Sequence, residues 1–342
     1  MNVVRTRGGL SVRVEPRAVL AVLLLVAAAL TASVALIGTG DYPLSPAEVL
    51  RTLTGGGTPA QEFIVEDLRL PRVLVALLVG ASLALAGAVF QSVSRNPLGS
   101  PDVLGLSQGS TVGALLVIVL FQGTPMAVAG GALAGGLASG VAIYLLAWQK
   151  GVHGNRFVLV GIAMTAILTS VIGYLLTQAD LNDATRATVW MVGSLNGRDW
   201  SQVWPLLCAF AVLVPVVLGQ GRGLRMLEMG DDTAYALGVR VERTRLVSLT
   251  AAVLLTAAAT AAAGPIAFVA LSAPQIARRL TRSSGPCLTA AACTGAALLV
   301  SADWAAQRLF GADQLPVGVL TGMLGGVYLL WLLYTERRAG RV

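Results

Sequence analysis

Long apolar runs separated by short polar segments dominate the chain. Most runs approach the ~20 residues that a helix needs to cross a bilayer. They predict a single all-α transmembrane domain over residues 1–342. Two runs, the eighth and ninth, are short enough to be tilted, broken or covered by neighbouring helices. The ten predicted spans are 19–37, 73–92, 103–121, 126–148, 157–176, 203–218, 246–263, 265–280, 288–302 and 316–334.

Basic residues fall unevenly between the two sets of loops. With the N-terminus inside, eighteen of the 24 lysines and arginines lie on the cytoplasmic side. Because positive residues concentrate on that side, we expect an even number of spans with both termini in the cytoplasm. The protein is therefore expected in the inner membrane, crossing it many times. The first run also fits a cleaved signal peptide, but it is longer than the usual apolar region of one, so we expect it to be kept as an anchor.

The composition limits the chemistry available. Hydrophobic residues make up 56% of the chain and charged residues 12%, whereas a soluble domain carries about 25% charged residues. The lone histidine, His153, and three cysteines without ligand spacing indicate no metal site, bound cofactor or catalytic site. The net charge of +7 follows from arginines between the spans, so no nucleic-acid partner is expected. Lys150 lacks the preceding glycine and following hydroxyl of a phosphate-binding loop, so any ATP hydrolysis must come from another chain.

Two segments carry local structural signals. Ser45 as N-cap, followed by Pro46 and Glu48, predicts a short helix at the outer surface that ends at glycines 55–57. The fourth run carries small residues at a spacing of four, which allows helix backbones to approach closely in lipid. We expect close intramolecular packing at Gly131, Gly135 and Ser139.

Three segments place prolines and polar residues where a simple bundle would not. The first runs from Arg69 and Arg72 through the second span to residues 95–102 (RNPLGSPD). The second is 230–239 (GDDTAYALGV). The third comprises 264–268 (GPIAF) and 274–278 (PQIAR), followed by 314–319 (QLPVGV).

In this order and spacing the segments resemble the FecCD or BtuC-like permeases, which import ferric siderophores, haem and vitamin B12. The resemblance extends from about residue 69 to 334. Residues 96–102, 193–197 and 227–234 are most similar to the ferric enterobactin branch. The resemblance implies a ten-helix type II ABC importer permease that carries an intact ferric siderophore, with a catecholate favoured.

The resemblance also implies partners. A second permease chain completes the pathway, and the similarity to the ferric enterobactin branch favours a paralogue over an identical copy. Two cytoplasmic ATPase subunits drive transport, and a periplasmic or lipoprotein-tethered binding protein delivers the substrate. The sequence by itself leaves open which siderophore is carried.

Two groups of site residues follow from the resemblance, and a third follows from the residues that break the chain near the spans. Docking of the binding protein is expected at Arg69, Arg72 and Arg308. Coupling to the ATPase is expected on a short capped helix, at Gly230, Asp231, Asp232, Thr233, Ala234, Leu237 and Gly238. A role in the pathway or its gate is expected for Asn96, Pro97, Pro101, Pro274 and Gln275.

Each group also has a purely structural reading. Arg69 and Arg72 could extend along the membrane interface or pair with Glu66 or Asp67. The segment 231–238 could be an ordinary connecting helix, with Asp231 as its N-cap and Gly238 just past its C-terminus. The residues 96–101 could form a simple turn.

The chain departs from the family pattern at three positions. Gln275 stands where a histidine is common, and Ala270 stands where a glycine is often found. Gln307 stands where many members have an arginine, with Arg308 one residue on. Asp303, four residues earlier, lies near the outer end of the ninth span. Because a carboxylate at mid-membrane is costly, we expect Asp303 to face water, a helix end or Arg308.

Other functions fit less well. A cobalamin or haem permease of the same family differs only in cargo. An ion-coupled secondary transporter would carry ionisable residues and broken helices at mid-membrane, and clear mid-span ionisable residues are missing here. An intramembrane enzyme would need a nucleophile and a general base within the spans.

Overall fold

The computed structural model describes residues 2–5, 11–148, 154–283, 285–309 and 315–338. Lys150 and His153 lie outside these ranges. A short antiparallel hairpin, β1 (Asn2–Arg5) and β2 (Ser11–Val14), precedes the helices and was not predicted. The helices are α1 (Pro16–Gly38), α2 (Pro46–Leu53), α3 (Pro59–Glu62), α4 (Leu70–Ser94), α5 (Leu106–Val119), α6 (Pro125–Ala147), α7 (Gly154–Gln178), α8 (Leu181–Met191), α9 (Trp200–Gly219), α10 (Gly221–Glu228), α11 (Asp231–Ala236), α12 (Val241–Ala263), α13 (Val269–Thr281), α14 (Leu288–Leu309) and α15 (Val317–Arg338).

Each predicted span coincides with a helix, although the helices differ in length. Seven helices in the described part of the chain are long and apolar enough to cross a membrane, namely α4 together with α1, α6, α7, α9, α12 and α14. The other three predicted spans correspond to α5, α13 and α15, which are shorter or less apolar over their described residues. The all-α membrane architecture is confirmed, whereas the count of ten crossings stays a prediction.

The predicted boundaries need correction at two places. The third span begins at Leu106 rather than at residue 103, because a turn with Gly105 at φ +82° precedes α5. The eighth span loses its first four residues, since Gly264 to Phe268 form a non-helical segment between α12 and α13. Phe268 adopts φ +68°, and its backbone N–H donates to the Asp102 carboxylate, which anchors this segment to the turn before α5.

The core is built around α4, which packs against α12, α13 and α14. Most of its side chains are buried, whereas α7 and α9 leave most of theirs exposed. A π-helical turn, Phe63–Arg69, joins α3 to the start of α4. The apolar exterior of α7 and α9 is the surface that lipid or a second subunit covers in a membrane protein.

The expected close packing of the fourth span is confirmed. A Cβ on Gly131 would lie 2.6 Å from the carbonyl oxygen of Gly113 in α5, and Gly135 faces Gly109 in the same way. Ser139 donates a hydrogen bond to the Gly105 carbonyl at 3.0 Å. The small residues therefore bring α5 and α6 into backbone contact.

The short surface helix is also confirmed. Ser45 caps α2, its hydroxyl accepts from the Glu48 backbone N–H, and the Glu48 carboxylate accepts from the Ser45 N–H at 2.8 Å. These hydrogen bonds from Ser45 lower the pKa of Glu48. The helix ends at Leu53, and Gly55 follows with φ +81°.

Candidate functional site: outer rim, coupling helix and inner cavity

The two arginines at the start of the second span have different structural roles. Arg69 donates from Nη1 to the Ile37 carbonyl at 2.5 Å and from Nη2 to the Tyr42 carbonyl at 2.8 Å. It therefore satisfies carbonyl groups at the C-terminal end of α1 and in the loop that follows. Neither it nor Arg72 pairs with Glu66 or Asp67 among the described ion pairs.

Arg72 belongs to a buried polar network. Its Nε and Nη2 donate to the two carboxylate oxygens of Asp303, each at 2.8 Å, and its Nη1 donates to Asn196 Oδ1 at 2.7 Å. Asp303 is 0% exposed and Arg72 is 16% exposed. Of the alternatives expected for Asp303, water and Arg308 are wrong, because the carboxylate is buried and its partner is Arg72, in the first turn of α4; the helix end is the alternative that agrees with the structure. Gln307 lies 3.4 Å from the Asp303 carboxylate, so this departure from the family pattern joins the same network.

Arg308, the third arginine of the predicted docking group, has a free side chain. It is exposed near the end of α14, and no hydrogen bond or ion pair involves it within the described ranges. Of the three arginines of the predicted docking group, Arg72 pairs with Asp303 and Arg69 donates to carbonyl groups, so only Arg308 has all of its donors free among the described residues.

A cavity of about 400 Å³ lies on the same side, beside Arg72. Its lining includes two further arginines, Arg186 on α8 and Arg198 before α9, which the sequence reasoning did not single out. Burial lowers the pKa of Arg198, and neighbouring Asp199 partly opposes this effect. Arginines in outer loops were counted only for topology, and their convergence depends on the fold.

The segment 230–238 forms the short helix α11, as predicted, but its start differs. Gly230, with φ +113°, is the N-cap, and Asp231 is the first helical residue. The Asp231 carboxylate does not cap the helix; it accepts two hydrogen bonds from Arg245 on α12, at 2.9 and 3.0 Å. Gly238 adopts φ +81° just past the end, which agrees with the prediction.

One side of α11 is buried and the other is open. Ala234 is 0% exposed, whereas Asp232 and Thr233 are exposed. Tyr235 and Leu237 are 76% and 60% exposed. Large apolar side chains on a short polar helix outside the apolar spans favour contact with another protein. Tyr235 was missing from the predicted site residues, although it lies within the predicted helix.

A second polar cluster connects α11 to the core. Glu228, at the end of α10, accepts from Ser92 on α4 at 2.7 Å and pairs with Arg278 on α13. A cavity of about 200 Å³ beside this pair is lined by Gln91, Arg95, Asn96, Pro97, Glu228 and Arg278.

The structure brings together only part of the predicted pathway group. Gln275 donates to Gln91 Oε1 at 2.7 Å, and its nitrogen lies 3.4 Å from the Pro97 carbonyl, beside the cavity that Asn96 also lines. Pro101 is buried in the turn before α5, and Pro274 is buried within α13; neither lines that cavity. Gln91 was missed, although a glutamine inside an apolar run is a visible signal. Among the described residues, no group of three His, Cys, Asp or Glu side chains is placed to hold a metal ion.

Comparisons with known proteins agree with this architecture. The chain is 46% identical to the ferric enterobactin transport system permease protein FepG of Escherichia coli (strain K12), over 95% of the chain and 98% of that protein. It is 36% identical to the iron(3+)-hydroxamate import system permease protein FhuG of Bacillus subtilis (strain 168), over 87% and 91% of the two chains. It is 37% identical to the hemin transport system permease protein HmuU of Yersinia pestis, over 95% and 98%.

A solved structure of an inward-facing metal-chelate type ABC transporter has the same fold. It matches with a TM-score of 0.82 over 93% of this chain and 99% of the other, at 24% identity. The FecCD transport family model matches residues 17–335. Its members are multi-pass inner-membrane permease subunits of ABC importers, which work with separate ATPase and substrate-binding partners. Because the family model and the ferric enterobactin permease match nearly the whole length of the chain, the chain belongs to the FecCD transport family.

Proposed function

We propose that this chain is one transmembrane subunit of an ATP-driven importer that moves an intact ferric siderophore into the cytoplasm. A catecholate siderophore is the first choice of cargo. The observation that carries the proposal is the 46% identity to the ferric enterobactin permease, which extends over nearly the whole length of both chains.

The chemistry of the described residues supports a chelate rather than bare iron. A bare ferric ion would need oxygen, nitrogen or sulfur ligands at close range. Most polar side chains that face the two polar cavities are instead arginines and amides, which can donate hydrogen bonds to a ligand's own oxygen atoms. The one carboxylate among the described residues that line them, Glu228, is already paired with Arg278. A chelate carries its iron ligands with it, so the permease needs only weak contacts along the route.

The proposed assembly follows the family. A second permease chain, a paralogue by the enterobactin resemblance, completes the pathway, while two cytoplasmic ATPases and a periplasmic or lipoprotein-tethered binding protein complete the transporter. Ten spans with both termini in the cytoplasm fit the bias of arginines toward one side. This orientation places α11 and the Glu228 pair inside, and Arg72, Arg308 and the arginine-lined cavity outside.

Each proposed site then has a partner. The outer face, through Arg69, Arg72 and Arg308, receives the binding protein. Arg308 supplies the free charge, while Arg69 and Arg72 stabilise the local structure of this surface through their own hydrogen bonds. The helix α11 with its flanking residues 230–238 contacts the ATPase. Gln275, Asn96 and Pro97, joined by Gln91, lie by the inner polar cavity and act at the inner end of the pathway, with Pro101 and Pro274 shaping the backbone there.

Other cargoes remain within the same proposal. A ferric hydroxamate is the second choice, because a relative at 36% identity imports one. Haem is favoured by the hemin permease at 37% identity, and cobalamin by the family resemblance alone. An ion-coupled mechanism has less support, since the buried Asp303 is already paired with Arg72.

Radiolabelled uptake in a deletion strain tests the cargo. Complementation with this chain should restore uptake of iron supplied as a ferric catecholate and growth under iron chelation. Hydroxamate, haem and cobalamin are supplied in parallel arms, with growth in iron-rich medium as the control. Normal ferric-siderophore uptake in the deletion strain, together with lost cobalamin or haem uptake, would overturn the iron assignment.

A further inference from the structure

The outer cavity beside Arg72 combines positive charge with an aromatic wall. Three arginines and three neutral polar side chains contribute to it, while Trp190 and aliphatic residues of α5, α6, α8, α12 and the segment 315–316 form the rest. No aspartate or glutamate of the described chain lines this cavity. The polar lining consists of Arg72, Arg186, Arg198, Ser194, Asn196 and Gln202.

Two of these arginines carry charge that no carboxylate balances at close range. Arg186 donates to the Gly123 carbonyl at 2.8 Å, and Arg198 donates from Nε to the Ser194 carbonyl at 3.2 Å. Within the described ranges, neither has a carboxylate oxygen within 4.0 Å. Each guanidinium has five N–H donors, and each uses one here, so donors remain for a ligand.

The acidic residue that follows Arg198 in the sequence is already committed elsewhere. Asp199 accepts a hydrogen bond from the Ser201 backbone N–H at 2.7 Å and caps the start of α9. Hydrogen bonds from Ser201 lower the pKa of Asp199, so it stays charged, but it is directed toward the helix rather than into the cavity lining. Burial of Arg198 leaves its guanidinium poorly hydrated, which makes an anionic ligand more favourable there.

We propose that this cavity is an outer subsite for one anionic arm of the incoming iron chelate. This inference rests on the proposed function and deepens it, since it selects catecholate or carboxylate chelates over neutral ones. The planar guanidinium fork matches a pair of oxygens, as in a catecholate or carboxylate, and Trp190 offers an apolar face to an aromatic ring. A cavity of about 400 Å³ lies toward the lower end of the ~300–1,000 Å³ range for whole ligands, so it suits one arm of a large chelate.

The subsite should bind weakly. Arg186 is exposed, so its contact with an anion is screened by water and salt. Weak binding suits a site that must release its ligand to the pathway. The expected signature is therefore a salt-sensitive affinity for anionic chelates.

The test uses the assembled transporter, with its partner subunits, in lipid nanodiscs. Ferric enterobactin, a trianionic tris-catecholate, is the probe, and a neutral ferric tris-hydroxamate is the comparison ligand. Binding is followed by quenching of tryptophan fluorescence, because Trp190 lines the cavity. The variant is Arg186→Gln with Arg198→Gln, and the matched control is Arg51→Gln, which removes an exposed outer arginine outside the cavity.

We expect the double variant to raise the dissociation constant for the trianionic chelate about three- to tenfold and to flatten its salt dependence. The control variant and the neutral chelate should show no such change. An unchanged dissociation constant in a folded double variant would overturn the subsite. Equal loss of affinity for the neutral chelate would also overturn it, because charge would then not be the cause.

A second measurement separates the chelate from an acidic side chain of the binding protein. Capture of the binding protein without siderophore should be the same for wild type and for the double variant. If capture falls by as much as chelate binding does, the cavity accepts the binding protein and the chelate inference is wrong. Failure of the proposed function would look different, because wild-type transporter would then import no ferric siderophore at all.

Discussion

Removing Asp303 or Arg72 alone should destabilise the protein far more than removing both. The Asp303 carboxylate is 0% exposed and receives two 2.8 Å hydrogen bonds from Arg72. In Asp303→Leu the guanidinium keeps only Asn196 as a strong partner. In Arg72→Met a buried carboxylate loses both of its charged donors.

The size of the effect follows from the burial. Breaking a buried pair by removing one partner costs about 3–5 kcal/mol. We expect about 3 kcal/mol for Asp303→Leu, since Arg72 keeps 16% exposure and the Gln307 amide can turn its oxygen toward Nη2 at 3.0 Å. Arg72→Met should lie toward the upper end, because Asp303 has no exposure. Replacing a whole buried pair with apolar residues is often neutral, so the double variant should lie within about 1 kcal/mol of wild type.

A double-mutant cycle measures this directly. Unfolding of purified protein in mixed micelles, titrated with a denaturing detergent and followed by tryptophan fluorescence, gives the four free energies of unfolding. Asp180→Leu, at an exposed aspartate without a capping hydrogen bond, is the control and should change stability by about 0.5 kcal/mol or less. The reasoning fails if Asp303→Leu resembles that control, or if the double variant is as unstable as the worse single one.

Three further outcomes are expected. Gly238→Val should abolish substrate-linked ATP hydrolysis while leaving binding-protein capture intact, because a β-branched residue at φ +81° strains the end of α11. Gly55→Val, also at φ +81°, is the control. Equal substrate-linked ATP hydrolysis in the two variants would mean that α11 is only a connecting helix. Gly113→Val should lower the folded yield on size-exclusion chromatography and reduce the free energy of unfolding by about 1–3 kcal/mol or more, since its side chain would clash with the α6 backbone. Normal yield and stability would contradict that contact. Arg308→Glu should weaken binding-protein capture several-fold in a pull-down that leaves Arg51→Glu unaffected, and unchanged capture would remove Arg308 from the docking surface.

The paired state of Arg72 also changes how docking must be tested. Arg72→Glu would place a second carboxylate against the buried Asp303, so lost transport would report misfolding as much as lost docking. The stable double variant Arg72→Met with Asp303→Leu avoids this. Normal capture by that variant would assign Arg72 a structural role, whereas lost capture in a folded protein would assign it a docking role.

Much of the fold could be predicted because lipid imposes a strong pattern. A helix in a bilayer must satisfy its own backbone and present apolar side chains over its length, so the spans are visible in the sequence. The cap at Ser45 and the close packing of α6 could also be predicted, because a cap involves near neighbours in the sequence and small residues at a spacing of four lie on one helical face. The breaks before α5 and α13 were misplaced by three or four residues, because apolar side chains continue through them.

The candidate site was less predictable because its pairs are distant in sequence. Arg72 and Asp303 are 231 residues apart, and a span-by-span view of Asp303 suggested water, a helix end or its nearest cation in the sequence, Arg308. Asp231 looked like an N-cap by its position, but Arg245, 14 residues away, competes for its carboxylate. In both cases a tertiary ion pair overrode the local rule.

These ion pairs also explain how a short helix could transmit motion into the bundle. On one side α11 is tied to α12 through Asp231 and Arg245, and Arg245 is only 3% exposed, so water cannot easily replace that contact. On the other side Glu228, three residues before α11, is tied to α13 through Arg278 and to α4 through a serine hydroxyl. A displacement of α11 therefore either breaks a partly buried charge contact or moves α12 and α13 with it. Asp231 is 37% exposed, so water offsets part of the cost on its side, but the buried Arg245 guanidinium would lose its partner. We therefore expect the helices to move with α11 and the polar cavity beside Arg278 to change shape with them.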